Sequence, residues 1–143
     1  MLKMRECKDI AGSCGCGAVT FKLSSPPKKV VNCHCNFCRK HNGAAFSTYA
    51  VVAETDMEIT AGQGHITAFE WYQNGHKHFC SRCGTPLYGK NARYPGLCMV
   101  QIGTIAADCE LTPAANIYCE SALDWVNDVA QIPSFEQGFQ KPA

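Results

Sequence analysis

Asn32-Cys33-His34-Cys35-Asn36-Phe37-Cys38-Arg39-Lys40-His41 places three cysteines within six residues, as C-x-C-x-x-C. Two further groupings flank it: Cys14-Gly15-Cys16 upstream and Cys80-Ser81-Arg82-Cys83-Gly84 downstream. In an extended segment residues i and i+2 project to the same side. Cys33 and Cys35 can therefore face one ion, as can Cys14 and Cys16, and the two-residue spacer lets Cys38 curl back toward Cys33. The glycines around Cys14 and Cys16 permit close backbone approach. Seven thiols at ligand spacing are too many for one tetrahedral site and one short of two complete ones. Four thiolates close a structural zinc site; three leave an open position of the kind a catalytic zinc keeps for water or substrate. A histidine in the eighth place would close the second site, and His34, His41, His76 and His78 all lie near a knuckle. Spacing does not say which thiols share an ion, because the C-x-x-C can pair with either C-x-C.

The rest of the composition narrows the setting. A chain of 143 residues is of a length for one domain with its own core, and we expect a single zinc domain over 1–143 with its core at about 10–135. The net charge is +1 and 17% of residues are charged, with no basic stripe or acidic tail, so nucleic acid is not an expected partner. No apolar run approaches membrane-spanning length, so no membrane partner is expected either. Met1-Leu2-Lys3-Met4-Arg5-Glu6 carries charge where a secretion signal has an apolar run, which makes the cytoplasm the expected location. In that compartment eleven cysteines read as metal ligands or thiols rather than as a disulfide framework.

Along the chain, residues 1–12 read as a polar lead-in. Ala18 to Leu23 alternates apolar and polar as a half-buried strand does, and Lys28 to Asn32 forms another short strand running into Cys33. Arg39 to Gly43 reads as a helical turn with Gly43 as a left-handed cap. Ala44 to Ala53, rich in aromatic and β-branched residues, reads as a core strand. Met57 to Thr60, Ile66 to Tyr72 and Lys77 to Cys80 follow as strands, with Asn74-Gly75 as a hairpin turn. A strand from Thr85, a buried one at Leu97 to Ile102, a helical turn at Ile105 to Asp108 and a last strand at Asn116 to Cys119 complete the pattern. Cys98 and Cys119 read as small buried apolar residues, and Trp125 and Phe135 as core or lid contacts. Cys7 has no partner at ligand spacing, and Cys109 also lies outside the motifs. Arg39, Lys40, Arg82 and Arg93 are available to carboxylates, although solvation is the common fate of such charges. The whole reads as a mainly β domain of short antiparallel strands with little helix, pinned by metal.

Gly12-Ser13-Cys14-Gly15-Cys16-Gly17-Ala18-Val19, Cys33-His34-Cys35-x-x-Cys38-Arg39 and Phe79-Cys80-x-x-Cys83-Gly84-Thr85-Pro86-Leu87-Tyr88 together resemble the glutathione-dependent formaldehyde-activating enzyme family, also called the Gfa or centromere-protein-V domain. Asn116-Ile117-Tyr118-Cys119-Glu120, with Ala122, Asp124 and Trp125, resembles that family's closing segment. The resemblance implies a β-tent fold with two zinc ions. It also implies that Cys14, Cys16, Cys80 and Cys83 hold the structural zinc, while Cys33, Cys35 and Cys38 hold a second zinc with an open, catalytic position. The implied chemistry is that of a carbon–sulfur lyase working on a thiol–aldehyde adduct such as S-hydroxymethylglutathione, with glutathione or a similar thiol and formaldehyde as partners. Three thiolates leave the second site with a net charge near −1, which makes its zinc a poor Lewis acid and favours capture of the thiol over activation of the carbonyl. The rival readings are a non-enzymatic zinc-stabilised binding module, whose basic extension this chain lacks, and a thiol redox sensor.

Overall fold

The computed structural model describes residues 9–72, 74–106 and 111–139. Cys7 and Cys109 lie outside them, as do Ala107 and Asp108. Ten strands form two sheets among the described residues. The smaller sheet joins β1 (Ile10–Ser13), β2 (Thr20–Leu23) and β5 (Met57–Ala61) in the order β1-β2-β5, all antiparallel. The larger is built from β3 (Lys29–Cys33), β4 (Ser47–Ala53), β6 (Ile66–Tyr72), β7 (Gly75–Cys80), β8 (Pro86–Asn91), β9 (Leu97–Gln101) and β10 (Ala115–Ile117), in the order β10-β3-β4-β9-β8-β7-β6. One seven-residue helix, α1 (Asn36–Asn42), follows β3 directly. The mainly β character expected from the short alternating runs is what the chain adopts.

Alternation along these strands decides what faces what. Ala50, Val100, Tyr88 and His78 stand opposite one another across β4, β9, β8 and β7, and so share one face. The smaller sheet covers that face. Val19, Phe21 and Leu23, none more than 1% exposed, pack with Ala50, Val52, Leu87, Cys98 and Val100 in a single apolar cluster. Cys14 and Cys80 are themselves members of that cluster. The opposite face of the larger sheet carries Val51, Met99, Gly89, Lys77 and Phe69, again in register.

That second face is strongly curled. In a flat sheet β3 and β7 would lie about 19 Å apart, at ~4.8 Å per strand. Yet the His41 ring on α1, just beyond β3, lies 6.0 Å from Phe69 and 5.8 Å from Trp71 on β6. Phe37 joins the same contact, 6.1 Å from Trp71. The curl therefore brings α1 and the end of β3 back over β6 and β7.

Several local expectations change. Ile10 to Ser13 is a strand rather than lead-in, because Ile10 is buried and the segment pairs with β2. The helical turn after β9 spans Ile102–Thr104, while Ile105 is drawn into a bridge with Gly12. The last strand ends at Ile117, since Tyr118 turns left-handed at φ 55 and Cys119 begins a 3₁₀ turn. Its pairing with β3 is parallel, the one departure from antiparallel order. Cys98 is buried as expected, but Cys119 is exposed. Trp125 and Phe135 are exposed as well, at 55% and 50%, because the segment after Ser121 runs along the surface.

Gly12 is a point where β1 and β2 meet tightly, since the ring of its cross-strand partner Phe21 lies over it. A Cβ on it would stand 2.1 Å from Cζ of Phe21, a ring that is 1% exposed at the heart of the core. Gly12→Ala is expected to destabilise the fold by about 1–3 kcal/mol through overpacking. Gly64→Ala, where a Cβ meets nothing within 4 Å, should stay within about 0.5 kcal/mol of the parent. Urea unfolding of the two variants measures the difference.

Candidate metal centres

The first cluster is assembled from two knuckles. Between β1 and β2 the chain reverses through Gly17 at φ 80, with Cys14 N–H donating to Val19 O (3.0 Å) and Gly17 N–H to Cys14 O (3.2 Å). Between β7 and β8 it reverses through Gly84 at φ 78, with Gly84 N–H donating to Cys80 O (2.7 Å). Side chains lock the knuckles together: Gly15 N–H donates to Thr85 Oγ1 (3.0 Å), which lies 3.1 Å from Cys83 Sγ. The Thr85 hydroxyl, and then its N–H, hold the Cys83 thiol down at about 5. The sulfurs of Cys14, Cys16, Cys80 and Cys83 all lie within 4.8 Å of one another. Cys14 and Cys16 are 3.6 Å apart, and Cys16 and Cys80 are 3.9 Å apart. A tetrahedral zinc with sulfurs at about 2.3 Å requires S···S separations of about 3.8 Å. The donor set fits that ion.

The second cluster grows from the β3–α1 junction. Cys33 ends β3, Cys35 caps the helix in extended conformation and Cys38 follows one turn on. Cys35 Sγ accepts from Cys38 N–H at 3.3 Å, so the middle thiol of the ligand run also satisfies a helix terminus. Gly43, at φ 59 and ψ 36, closes the helix as the sequence implied. The three sulfurs lie within 4.8 Å of one another. Cys33 and Cys38 are buried and Cys35 half-buried. The Cys38 thiol donating to it holds Cys33 down at about 6 against the effect of burial, helped by the Cys35 N–H and the Lys77 charge. The same contact with Cys33, and burial after it, push Cys38 up. This soft three-sulfur set suits zinc with one position left over.

No histidine joins either cluster among the described residues. His34 alternates away from Cys33 and Cys35; its Nε2 lies 3.1 Å from Asn116 Oδ1, which also accepts from Asn32 Nδ2 at 3.1 Å. The parallel strand β10 thus claims this imidazole. His78 stacks on Tyr88 at 4.2 Å on the core-facing side of β7, and His76 is exposed. His41 stays with the aromatic rings of β6; burial, and after it Lys77, push it down to about 4. It is therefore neutral at neutral pH.

Two groups unmarked by the sequence motifs face the second cluster. Tyr49 on β4 is half-buried, and burial followed by the charges of Cys33, Cys38 and Cys35 pushes its phenol above the ordinary value. Lys77 on β7 acts electrostatically on Cys33, Cys38 and His41. No local signal announces either one, since each arrives from a strand distant in sequence. Of the four basic residues considered beforehand, Lys40, Arg82 and Arg93 are exposed, and Arg39 hydrogen-bonds Asn36 Oδ1 within its own helix. A separate groove of about 1010 Å³ is lined by Ser13, Cys14, Thr48, Thr85, Gln101 and neighbours. It touches none of the three thiols of the second cluster, and Thr48 alternates to the sheet face opposite Tyr49.

The family model for the glutathione-dependent formaldehyde-activating enzyme matches residues 9–121. A Halomonas elongata protein provisionally named a glutathione-dependent formaldehyde-activating enzyme is 31% identical over 135 residues, covering 90% of this chain and 83% of its own. A Fusarium vanettenii protein of the same provisional name is 30% identical over 83 residues, covering 52% of this chain and 45% of its own. The crystal structure of a Rhodobacter sphaeroides protein shares the fold, with a TM-score of 0.60 at 19% identity, over 74% of this chain and 98% of its own.

The two clusters should respond differently to mutation. Cys80→Ser removes a core sulfur with 0% exposure and is expected to lose one metal equivalent together with the cooperative thermal transition. Cys35→Ser is expected to lose the other equivalent while the transition is retained. Metal analysis paired with calorimetric unfolding reads both.

Proposed function

The chain belongs to the glutathione-dependent formaldehyde-activating enzyme family, and from that premise we propose that it makes and breaks the carbon–sulfur bond of a thiol–formaldehyde adduct, with glutathione or a similar thiol as the sulfur partner. Cys14, Cys16, Cys80 and Cys83 would hold a structural zinc. Cys33, Cys35 and Cys38 would hold a second zinc, which when bound supplies an attachment point for the substrate sulfur. The observation that carries this reading is the second cluster itself. Three thiols converge there with no fourth protein ligand among the described residues.

The chain's own residues divide the remaining work. In the forward direction the thiol sulfur bonds to the aldehyde carbon, the carbonyl π bond opens, and the proton lost from sulfur ends on oxygen. Tyr49, kept protonated by its surroundings, offers an O–H to the oxygen on which charge develops. Phe37, Phe69 and Trp71 form an aromatic wall edge to face, with Phe69 and Trp71 5.6 Å apart. This wall borders the helix that carries Cys38 and lines that side with apolar rings. His41 fills its place in the wall as a neutral ring and contributes no charge.

Titration calorimetry of glutathione into zinc-loaded protein tests the reading. Binding is expected in the parent and should vanish in Cys35→Ser. Equal binding by both proteins would place the thiol away from the second cluster and overturn the proposal. Tyr49→Phe is expected to lower the rate of adduct formation by about 10²–10⁴-fold, the range for loss of a positioned proton donor, while glutathione binding changes little. Following S-hydroxymethylglutathione formation by NMR measures the rate.

A further inference from the structure

Lys77 sits opposite Gly89 on β8 and Phe69 on β6, in one row across the curled face of the larger sheet. Gly89 is what lets the lysine lie there. A Cβ at that position would stand 3.3 Å from both Cδ and Nζ of Lys77, so the bare glycine leaves the strip of sheet along which the side chain is laid. The other neighbour in the row, Phe69, touches His41 on α1 at 6.0 Å between ring centroids. Cys38 lies three residues before His41, on the same side of the helix. The half-buried Lys77 side chain thus lies over Gly89 on the face of the sheet that meets α1, and its charge acts on Cys33, Cys38 and His41.

Among the described residues no carboxylate pairs with this ammonium; the one ion pair found there joins Lys90 to Glu54. The anionic groups on which it acts are the thiols of the second cluster. A divalent ion with three thiolates carries about −1, so an incoming thiolate would raise the local charge to about −2 inside a partly dry site. Neutral His41 offsets none of it.

We propose that Lys77 is the electrostatic positioning residue that makes the open place beside Cys33, Cys35 and Cys38 select its substrate as a thiolate anion. This rests on the functional reading above and adds to it the charge state of the sulfur that is taken. The ammonium offsets the second negative charge, so the substrate sulfur releases its proton to solvent on entry and is held as a thiolate while the aldehyde approaches. The titratable groups on which the ammonium acts are Cys33 at the end of β3 and Cys38 and His41 on α1, while Tyr49 on β4 interacts with the same thiols.

Cobalt-substituted protein tests this without reliance on turnover, because sulfur bound to the ion gives a charge-transfer absorption. Glutathione and the uncharged thiol 2-mercaptoethanol are each titrated across pH into the parent, Lys77→Met, Lys77→Gln and Lys77→Arg, with metal content measured in parallel. In the parent both thiols are expected to bind with an apparent pKa below the ~8.5 of an ordinary thiol. Lys77→Met and Lys77→Gln should raise that value by about 1–3 units for both thiols, at unchanged metal content, and Lys77→Arg should restore most of it. Unchanged titration curves in the two neutral variants would overturn the inference while leaving the functional reading intact. A loss confined to glutathione would also overturn it, since Lys77 would then be reading a carboxylate and not the sulfur. Absence of thiol coordination in the parent would remove the functional reading and this inference together.

Discussion

The structure depends on the convergence of two short turns whose sulfurs stand 64 positions apart in the chain. Cys16 and Cys80 approach to 3.9 Å, and Cys14 and Cys80 are at the same time buried members of the apolar core. The small sheet is therefore held to the large one twice: by the packing of Val19, Phe21 and Leu23, and by the meeting of the knuckles at one end. Thr85 joins the two turns through Gly15 N–H and Cys83 Sγ, so polar groups near the sulfurs are partnered across the junction. Ionised thiols this close repel one another. A divalent cation is the counter-charge that this arrangement of donors calls for.

The second cluster has a different mechanical character. All three sulfurs come from one continuous stretch, Cys33 to Cys38, and so staple no distant parts of the chain together. Their geometry is set by a strand end, a helix cap and one helical turn. β10 steadies this corner from outside by holding His34 through Asn116 and by accepting the His34 N–H at Ile117 O. With the histidine so occupied, the cluster stays at three sulfurs. What completes its surroundings comes from the far strands of the curled sheet: Phe69 and Trp71 from β6, Lys77 from β7. A local motif thus supplies the three thiols, and the curl supplies the aromatic and basic groups around them. Family kinship and fold alone do not fix a substrate.

The seven thiols, their grouping, the strand pattern and the Gly43 cap were all legible in the chain, because each is written in spacings of a few residues. Period-2 alternation marked β2, aromatic and β-branched content marked β4, an apolar run marked β9, and C-x-C marked side chains that point the same way. The same locality explains the failures. Cys119 read as a small buried residue and Trp125 as a core or lid contact, yet both are exposed, because composition alone says nothing about which apolar residues the surface-running end of the chain leaves uncovered. β1 was missed because four residues carry too little periodicity to register without the partner strand that pairs them. His34 looked as available as any other histidine until β10 took it. Which knuckles meet, and which lysine faces the open sulfurs, depend on how strongly the large sheet curls. That curl is a sum of small twists over seven strands, set by packing between residues remote in sequence, and no spacing along the chain records it.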